Sequence, residues 1–289
     1  MTDAAAAAPP ILVLGATSLI GRRLPHAAAG RPLAGVSRAR RDGGGYHWAQ
    51  ADLAYPAADL PRAAEALALC PIWLLPDAFG ALERAGVRRL VAVSSTSRWT
   101  KAASPHAAER EVARRLAQGE AALQAWAAER AIGWTVLRPT LIYDEGRDRN
   151  VSRLAALARR FGALPLAGAG RGLRQPVHAA DLARGALDAL ASPAAAGRAY
   201  DLPGGETLSY RAMCVRVFEG LGRRPRLVPL PPPLWRAALA LASPWLPGAT
   251  AAMGGRMSED LAFDPAPARR DFAWRPRPFR PDFLAPPPA

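Results

Sequence analysis

Ile11-Leu12-Val13-Leu14-Gly15-Ala16-Thr17-Ser18-Leu19-Ile20-Gly21 is the stretch whose reading decides the fold. Four aliphatic residues in a row have the pattern of a strand buried on both faces. A glycine turn follows without a break, and Arg22-Arg23-Leu24 opens a helical stretch. Strand, glycine turn and helix start make the first unit of a dinucleotide-binding fold. The first glycine permits the turn, and the helix N-terminus offers free N–H groups and a positive dipole end to a pyrophosphate. Gly21 would let the helix pack closely on the strand. Where the pattern usually has a middle glycine this chain has Ser18, a small polar side chain that crowds a phosphate or donates to it. Weakened rather than abolished binding is the expectation. Gly15, Ala16, Thr17, Ser18, Leu19, Ile20 and Gly21 are the first candidate cofactor-binding residues.

Outward from this turn the pattern repeats. Leu33-Ala34-Gly35-Val36-Ser37-Arg38 reads as a second strand ending on a basic residue. An acid about 20 positions beyond the glycine turn would bind the ribose hydroxyl of NAD, whereas an arginine there accommodates the 2′-phosphate of NADP. Arg38, Arg40 and Arg41 precede the first acid, Asp42, so NADP is favoured over NAD. Tyr46–Gln50, Pro71–Leu75, Arg89–Val93 and Trp134–Leu137 supply further strands. Helices are expected over 77–86 and 106–130. Strands alternating with helices at this spacing predict an α/β fold: a Rossmann-type doubly wound parallel sheet. A smaller C-terminal α/β substrate lobe follows it. The first domain is expected over 10–142, completed by about 174–202, and the lobe mainly over 143–285, with flexible ends at 1–9 and 284–289.

Composition removes several function classes. Half of the 289 residues are hydrophobic, enough for a core, so disorder along the whole chain is excluded. The net charge is +14, from 38 basic and 24 acidic residues, and Lys101 is the sole lysine. The excess is spread over both halves of the chain without long basic blocks, which argues against a nucleic-acid binder. The 2 cysteines and 4 histidines are scattered and follow no metal-ligand spacing, so no metal site is expected. The start lacks the basic and apolar regions of a signal peptide, which points to the cytoplasm. Leu234 to Leu246 is apolar but interrupted by Arg236 and Pro244. It falls short of the ~20 residues needed to span a bilayer. It is expected to pack on the substrate lobe, with membrane-interface contact as the alternative.

The Gly15–Gly21 turn, Asp52-Leu53, Ser94-Ser95, Leu137-Arg138-Pro139-Thr140 and the segment from Arg174 to Asp181 occur in that order. In this combination the chain resembles the NAD-dependent epimerase/dehydratase family, as an extended or atypical short-chain dehydrogenase/reductase, over about residues 10–285. The resemblance implies that Asp52 and Leu53 lie by the adenine. Leu74, Leu75 and Pro76 would line the cofactor, and Ser94 and Ser95 would face the nicotinamide. Arg138, Pro139 and Thr140 would close the floor of the site. The family's proton chemistry usually rests on a Tyr-x-x-x-Lys pair on the long helix. Aligning Gly119-Glu120-Ala121 with that helix puts Val112 and Leu116 at the two positions, so the pair is missing.

Three accounts stay open. A substitute group does the chemistry, with Ser95, Thr96, Lys101 and Tyr143 as candidates. Alternatively, water or a substrate group supplies the proton, or the protein binds a dinucleotide without turnover, as a sensor or assembly factor. Glu109 and Glu120 read most simply as surface charges. Beyond the sheet, Asn150 is a plausible cap for a helix at about 151–161, and Asp181 for one at 182–191. In nucleotide-sugar members of the family the segment around Arg174 sets an arginine on the substrate's phosphates. Arg147, Asn150 and Arg174 together could grip a phosphorylated or nucleotide-linked substrate by charge-assisted hydrogen bonds. His178 reads as structural, and a monomer or homodimer is expected. Arg38→Asp should weaken NADP more than NAD in a binding titration. Equal losses would show that Arg38 does not read the 2′-phosphate.

Overall fold

The structure, a computed structural model, describes residues 9–55, 59–231, 233–235, 255 and 257–285. Its first half runs β1 (Ile11–Leu14), α1 (Leu24–Ala27), β2 (Leu33–Ser37), β3 (His47–Gln50), β4 (Glu65–Ala68), α2 (Leu75–Ala85) and β5 (Arg89–Val93). Then come α3 (Ser97–Thr100), α4 (Ala107–Glu129), β6 (Gly133–Pro139) and β7 (Ile142–Tyr143). The second half continues α5 (Val151–Phe161), β8 (Leu164–Ala167), β9 (Leu173–Arg174), β10 (Val177–His178), α6 (Ala179–Ala191) and β11 (Arg198–Leu202). It closes with β12 (Leu208–Ser209), α7 (Tyr210–Glu219), β13 (Leu227–Leu230) and α8 (Ala266–Phe272).

Seven strands form one parallel sheet in the order β11-β6-β5-β4-β1-β2-β3. This is the Rossmann-like α/β fold the sequence predicts. All four β1 residues are fully buried, because helices cover both sheet faces. Ile11 and Val13 pack into the layer that holds α1, α6 and α8, and Leu12 and Leu14 into the layer of α2 and α4. The strand order reverses at β1, between β2 and β4, and in such sheets the crevice beyond the strand ends at this point takes the ligand.

One strand differs from expectation. The fourth strand is Glu65–Ala68, not Pro71–Leu75; Ile72–Leu74 is a 3-10 turn that leads into α2. Pro71 and Pro76 fit this arrangement, since proline lacks a ladder donor but suits a helix's first turn. The actual strand, Glu-Ala-Leu-Ala, is poor in β-branched residues and hides from a propensity reading. Leu69 N–H continues its ladder to Leu14 at 2.7 Å, so Leu69 and Cys70 border the glycine turn.

The smaller lobe is built on α5, α7, the parallel pair β8–β13 and the antiparallel pair β9–β12. The expected boundary near 143 is crossed again late in the chain. Phe272 and Trp274 return to the first lobe's core, and Phe279 enters the second. Phe283 donates its N–H to the Gly220 carbonyl at 3.0 Å, so the chain is docked as far as the residue before the end expected to be loose. Residues 1–8, 286–289 and most of the apolar stretch, 236–246, lie outside the described residues. Among the described residues, no helix is long and apolar enough to cross a membrane.

Gly15 has φ +81°, and a Cβ there would lie 2.6 Å from the Cys70 nitrogen. Gly15→Ala should therefore lose more than the about 1–3 kcal/mol of backbone strain alone, read by chemical denaturation. Gly30→Ala, with φ +87° but open space around it, serves as the comparison. Equal losses in the two variants would show that the contact with Cys70 does not matter.

Candidate functional site

The glycine turn sits at the C-terminal end of β1. Ser18 N–H donates to Gly15 O at 2.9 Å, and Gly21 N–H donates to the Ser18 hydroxyl at 3.1 Å. Ser18 thus caps the turn instead of merely filling a glycine position. A Cβ on Gly21 would meet Ala16 O at 2.4 Å, so Gly21 packs over the turn. Ala16 and Ile20 are buried, whereas Thr17 is exposed and Ser18 and Leu19 are half-buried. A backbone cradle that side chains would fill, open at the switch point of the sheet, fits a dinucleotide's pyrophosphate. The helix that follows is short: a 3-10 turn, Gly21–Arg23, and the four residues of α1.

Further along the strand ends, Arg38 is exposed just beyond β2, and its carbonyl accepts Gln50 Nε2 at 3.0 Å. Asp52 is half-buried beyond β3 and accepts the Ala54 N–H at 3.1 Å, while Leu53 packs on the core. The shifted fourth strand removes Leu74, Leu75 and Pro76 from the strand end. Leu75 is fully buried in the helical layer, and Leu74 and Pro76 lie at the surface. Cys70 takes their place beside Gly15, and burial pushes its thiol up to about 11.

The region beyond β5 holds the largest departure from expectation. Glu120 on α4 is fully buried, not a surface charge. It accepts the Ser94 hydroxyl at 2.6 Å, Arg138 Nε at 3.0 Å and Arg138 Nη2 at 2.7 Å, and pairs with Arg98. The Trp99 ring packs against both guanidiniums, 4.6 Å from Arg98 and 5.1 Å from Arg138. Burial lowers the Arg138 pKa, but the hydrogen bonds and charge of Glu120, with Asp201 at 3.5 Å, outweigh it and the net direction is up. Ser94 and Arg138 therefore belong to this ion cluster, with their side chains bonded to Glu120. Val112 and Leu116, at the positions of the missing pair, pack in the apolar layer. Pro139 is buried; its carbonyl accepts the Thr96 hydroxyl at 3.2 Å.

Tyr143 is also placed away from the site. It is 1% exposed, packed edge-on between His178 and Phe279, each 5.0 Å away. Burial pushes its phenol well above its ordinary range. His178, not Asp181, caps α6: its Nδ1 accepts the Ala180 N–H at 3.0 Å. Asp181 instead binds Arg277 at 2.9 Å. Asn150 does not cap α5 with its side chain; Asp148 accepts the Asn150 and Ser152 N–H groups at 2.7 and 3.1 Å. Glu109 accepts the Ser104 hydroxyl at 2.7 Å.

What the fold does gather is a cavity of about 570 Å³ between the lobes. Its first wall comes from the glycine turn and the ends of β5 and β6, through Leu19, Ser95, Thr96, Lys101 and Thr140. Its second comes from the smaller lobe, through Arg147, Arg149, Asn150 and Arg174. The sequence missed Arg149, Gln175 and the apolar Leu261 and Phe263, which arrive on a segment with no motif of its own. Arg174 is 6% exposed, donates to Glu259 O at 2.8 Å and lies 5.5 Å over the Tyr210 ring; burial lowers its pKa. Arg23, just past the glycine turn, binds the fully buried Asp144, whose carbonyl accepts the Arg147 N–H at 2.8 Å. The turn and the cationic loop are thereby fastened to each other.

Comparison with known proteins agrees with this geometry. Residues 77–202 match the NAD dependent epimerase/dehydratase family. The resemblance read from the motifs holds. Over 162 residues the chain is 30% identical to NADH dehydrogenase [ubiquinone] 1 alpha subcomplex subunit 9, mitochondrial, of Arabidopsis thaliana. That match takes in 55% of this chain but only 37% of the relative, so the chain matches little more than a third of the relative's length. Among solved structures, an epimerase from Methanothermobacter thermautotrophicus superposes with a TM-score of 0.69 at 15% identity, covering 95% of this chain and 90% of that one. The NADPH-dependent quinone oxidoreductase of Escherichia coli, complexed with NADPH, gives 0.65 at 19% identity over 92% and 95%. At these identities the likeness establishes the fold and leaves the chemistry to the residues.

Glu120→Ala would leave two partly buried guanidiniums and the Ser94 hydroxyl without their acceptor. Breaking a buried ion pair from one side costs about 3–5 kcal/mol, and denaturant unfolding should show a loss of that order. A loss below about 1 kcal/mol would mean that water takes over the carboxylate's role.

Proposed function

We propose that this protein binds NADP or NAD on its glycine turn and presents an anionic, phosphorylated or nucleotide-linked small molecule to it from the cavity. The activity is that of an oxidoreductase or epimerase without the usual proton-transfer pair. One observation carries the reading. The cavity begins at Leu19 of the glycine turn and at the ends of β5 and β6, and Lys101, Arg147, Arg149 and Arg174 surround it. Four cations around one cleft at the switch point favour an anionic ligand placed beside the dinucleotide.

The bound nicotinamide would supply the hydride chemistry, and the chain supplies position and proton handling. Arg147 and Arg174 hold the anion from the smaller lobe. Ser95 accepts the Ser97 N–H at 3.1 Å, which leaves its own O–H to donate toward a ligand. The Thr96 hydroxyl already donates to Pro139, so it serves better as an acceptor. Lys101 is the amine of the cavity wall and the best-placed group to hold or release a proton there.

The second reading, dinucleotide binding without turnover, draws on a specific observation as well. Val112 and Leu116 are packed in the core, and Glu120 locks Ser94 and Arg98. NADPH and NADH titrations followed by fluorescence test what both readings share; no binding at millimolar concentration removes both. A screen of nucleotide sugars, phosphorylated carbonyl compounds and aldehydes for NADPH oxidation separates them. If turnover is found, Lys101→Met should reduce kcat at least about 100-fold, the scale of general acid–base catalysis, with NADPH affinity unchanged. An unchanged kcat would take the proton role from Lys101.

A further inference from the structure

The cavity has a chemical asymmetry that narrows its ligand. Its cations share the lining with an apolar surface formed by Leu19, Leu141, Ile142, Leu261 and Phe263. Sugar rings are read by acceptors and amides that bond their hydroxyls, and a site built for such bonds leaves those groups available. Here Asp148 and the Gln175 amide are engaged internally. Asp148 is the one acid among the described lining residues, and it is buried. Its Oδ1 accepts the Asn150 and Ser152 N–H groups, and its Oδ2 accepts the Asp144 N–H at 3.2 Å and the Ser152 hydroxyl.

Three of the neutral groups, Gln175, Thr140 and Thr96, are also bonded internally. Gln175 gives its amide to Thr207 at 3.0 Å and to Phe263 O at 3.2 Å, and its Oε1 accepts the Phe263 N–H at 2.8 Å. Those bonds fix Phe263 in the wall instead of reading a ligand. The Thr140 and Thr96 hydroxyls donate to backbone carbonyls. Burying an apolar body against such a wall contributes about 25 cal/mol per Å². A sugar placed there would lose water from its hydroxyls without full replacement.

We propose that the ligand of this cavity is an amphipathic anion: a phosphate or diphosphate carried on a hydrocarbon or aromatic body, not on a sugar. The assignment rests on the reading of the cavity as the substrate site. The body lies along Leu141, Ile142, Leu261 and Phe263, and the anion meets Arg147 and Arg174 with Lys101 and Arg149 beside them. At about 570 Å³ the cavity is of a size that takes a small organic molecule.

Isothermal titration of the full chain with four probes tests this: geranyl diphosphate, geraniol, inorganic pyrophosphate and UDP-glucose. Geranyl diphosphate should bind at least tenfold more tightly than each of the other three. Leu261→Asn should remove most of that advantage and leave pyrophosphate affinity within twofold. Arg147→Gln should weaken both diphosphates. UDP-glucose or pyrophosphate binding as tightly as geranyl diphosphate overturns the proposal, as does the absence of binding by any probe at millimolar concentration. NADPH titrated into the same sample reads separately. Its failure removes the oxidoreductase reading, while the ranking of the four probes still decides the ligand class.

Discussion

Everything in the site hangs on one close approach: the chain turning at Gly15 against the backbone of Leu69 and Cys70. A Cβ at Gly15 would stand 2.6 and 2.7 Å from that backbone. The contact exists because β1 and β4 are neighbours whose ladder continues past the strand ends, from Leu69 N–H to Leu14 O. Since β1 is buried on both faces, the turn has no freedom to drift, and it delivers Thr17, Ser18 and Leu19 to the switch point. From there Arg23 reaches across to Asp144 and sets the loop that carries Arg147. The cavity is the gap this tie leaves between sheet and smaller lobe.

A second constraint acts at the other wall. Here α4 turns a buried carboxylate toward β5 and β6. Glu120 draws Arg98 and Arg138 together, and with Arg98 comes the short helix α3. The segment that bears Ser95, Thr96 and Lys101 is thereby held against the sheet. A dyad that moves protons and a cluster that holds a wall need different things from the same helix face. The first needs access and tunable protonation; the second needs enclosure and fixed charge. This chain meets the second set of requirements.

The sheet was legible because its signals are local: β1, β5 and β6 are short aliphatic runs between turn residues. The glycine turn was legible because one positive-φ position at a strand end has a residue-type signature. The fourth strand was not, since its Ala-rich sequence becomes a strand only by pairing with β1 and β5. Glu120 read as a surface charge because periodicity treats a carboxylate as polar, and its three partners lie 18, 22 and 26 residues away in sequence. Tyr143 read as a candidate acid for the same kind of reason: nothing near it in sequence announces that Phe279 and His178 will enclose it. Arg147, Asn150 and Arg174 were found through chemical type, and the fold places all three on one cavity, but Leu261 and Phe263 had no type to signal them.

The arginine surplus takes on a different meaning inside this framework. A compositional background of guanidiniums would be expected to lie on the surface, yet Arg23, Arg98 and Arg138 bridge elements with side chains only 17%, 24% and 11% exposed. Arg89 likewise donates to Thr135 and to the Ala189 carbonyl, joining the sheet to α6. Lysine is poorly suited to these positions. Its ammonium is a compact, strongly hydrated point charge, costly to bury and unable to present a planar fork to a carboxylate or lie flat on Trp99. Guanidinium is weakly hydrated and offers several donors at fixed angles, so one side chain can satisfy acceptors on two elements at once. The few cations that face the cavity are thus set on a frame that other arginines hold in place. The sole lysine is among those that face the cavity, where a compact, titratable ammonium is of more use than a fork.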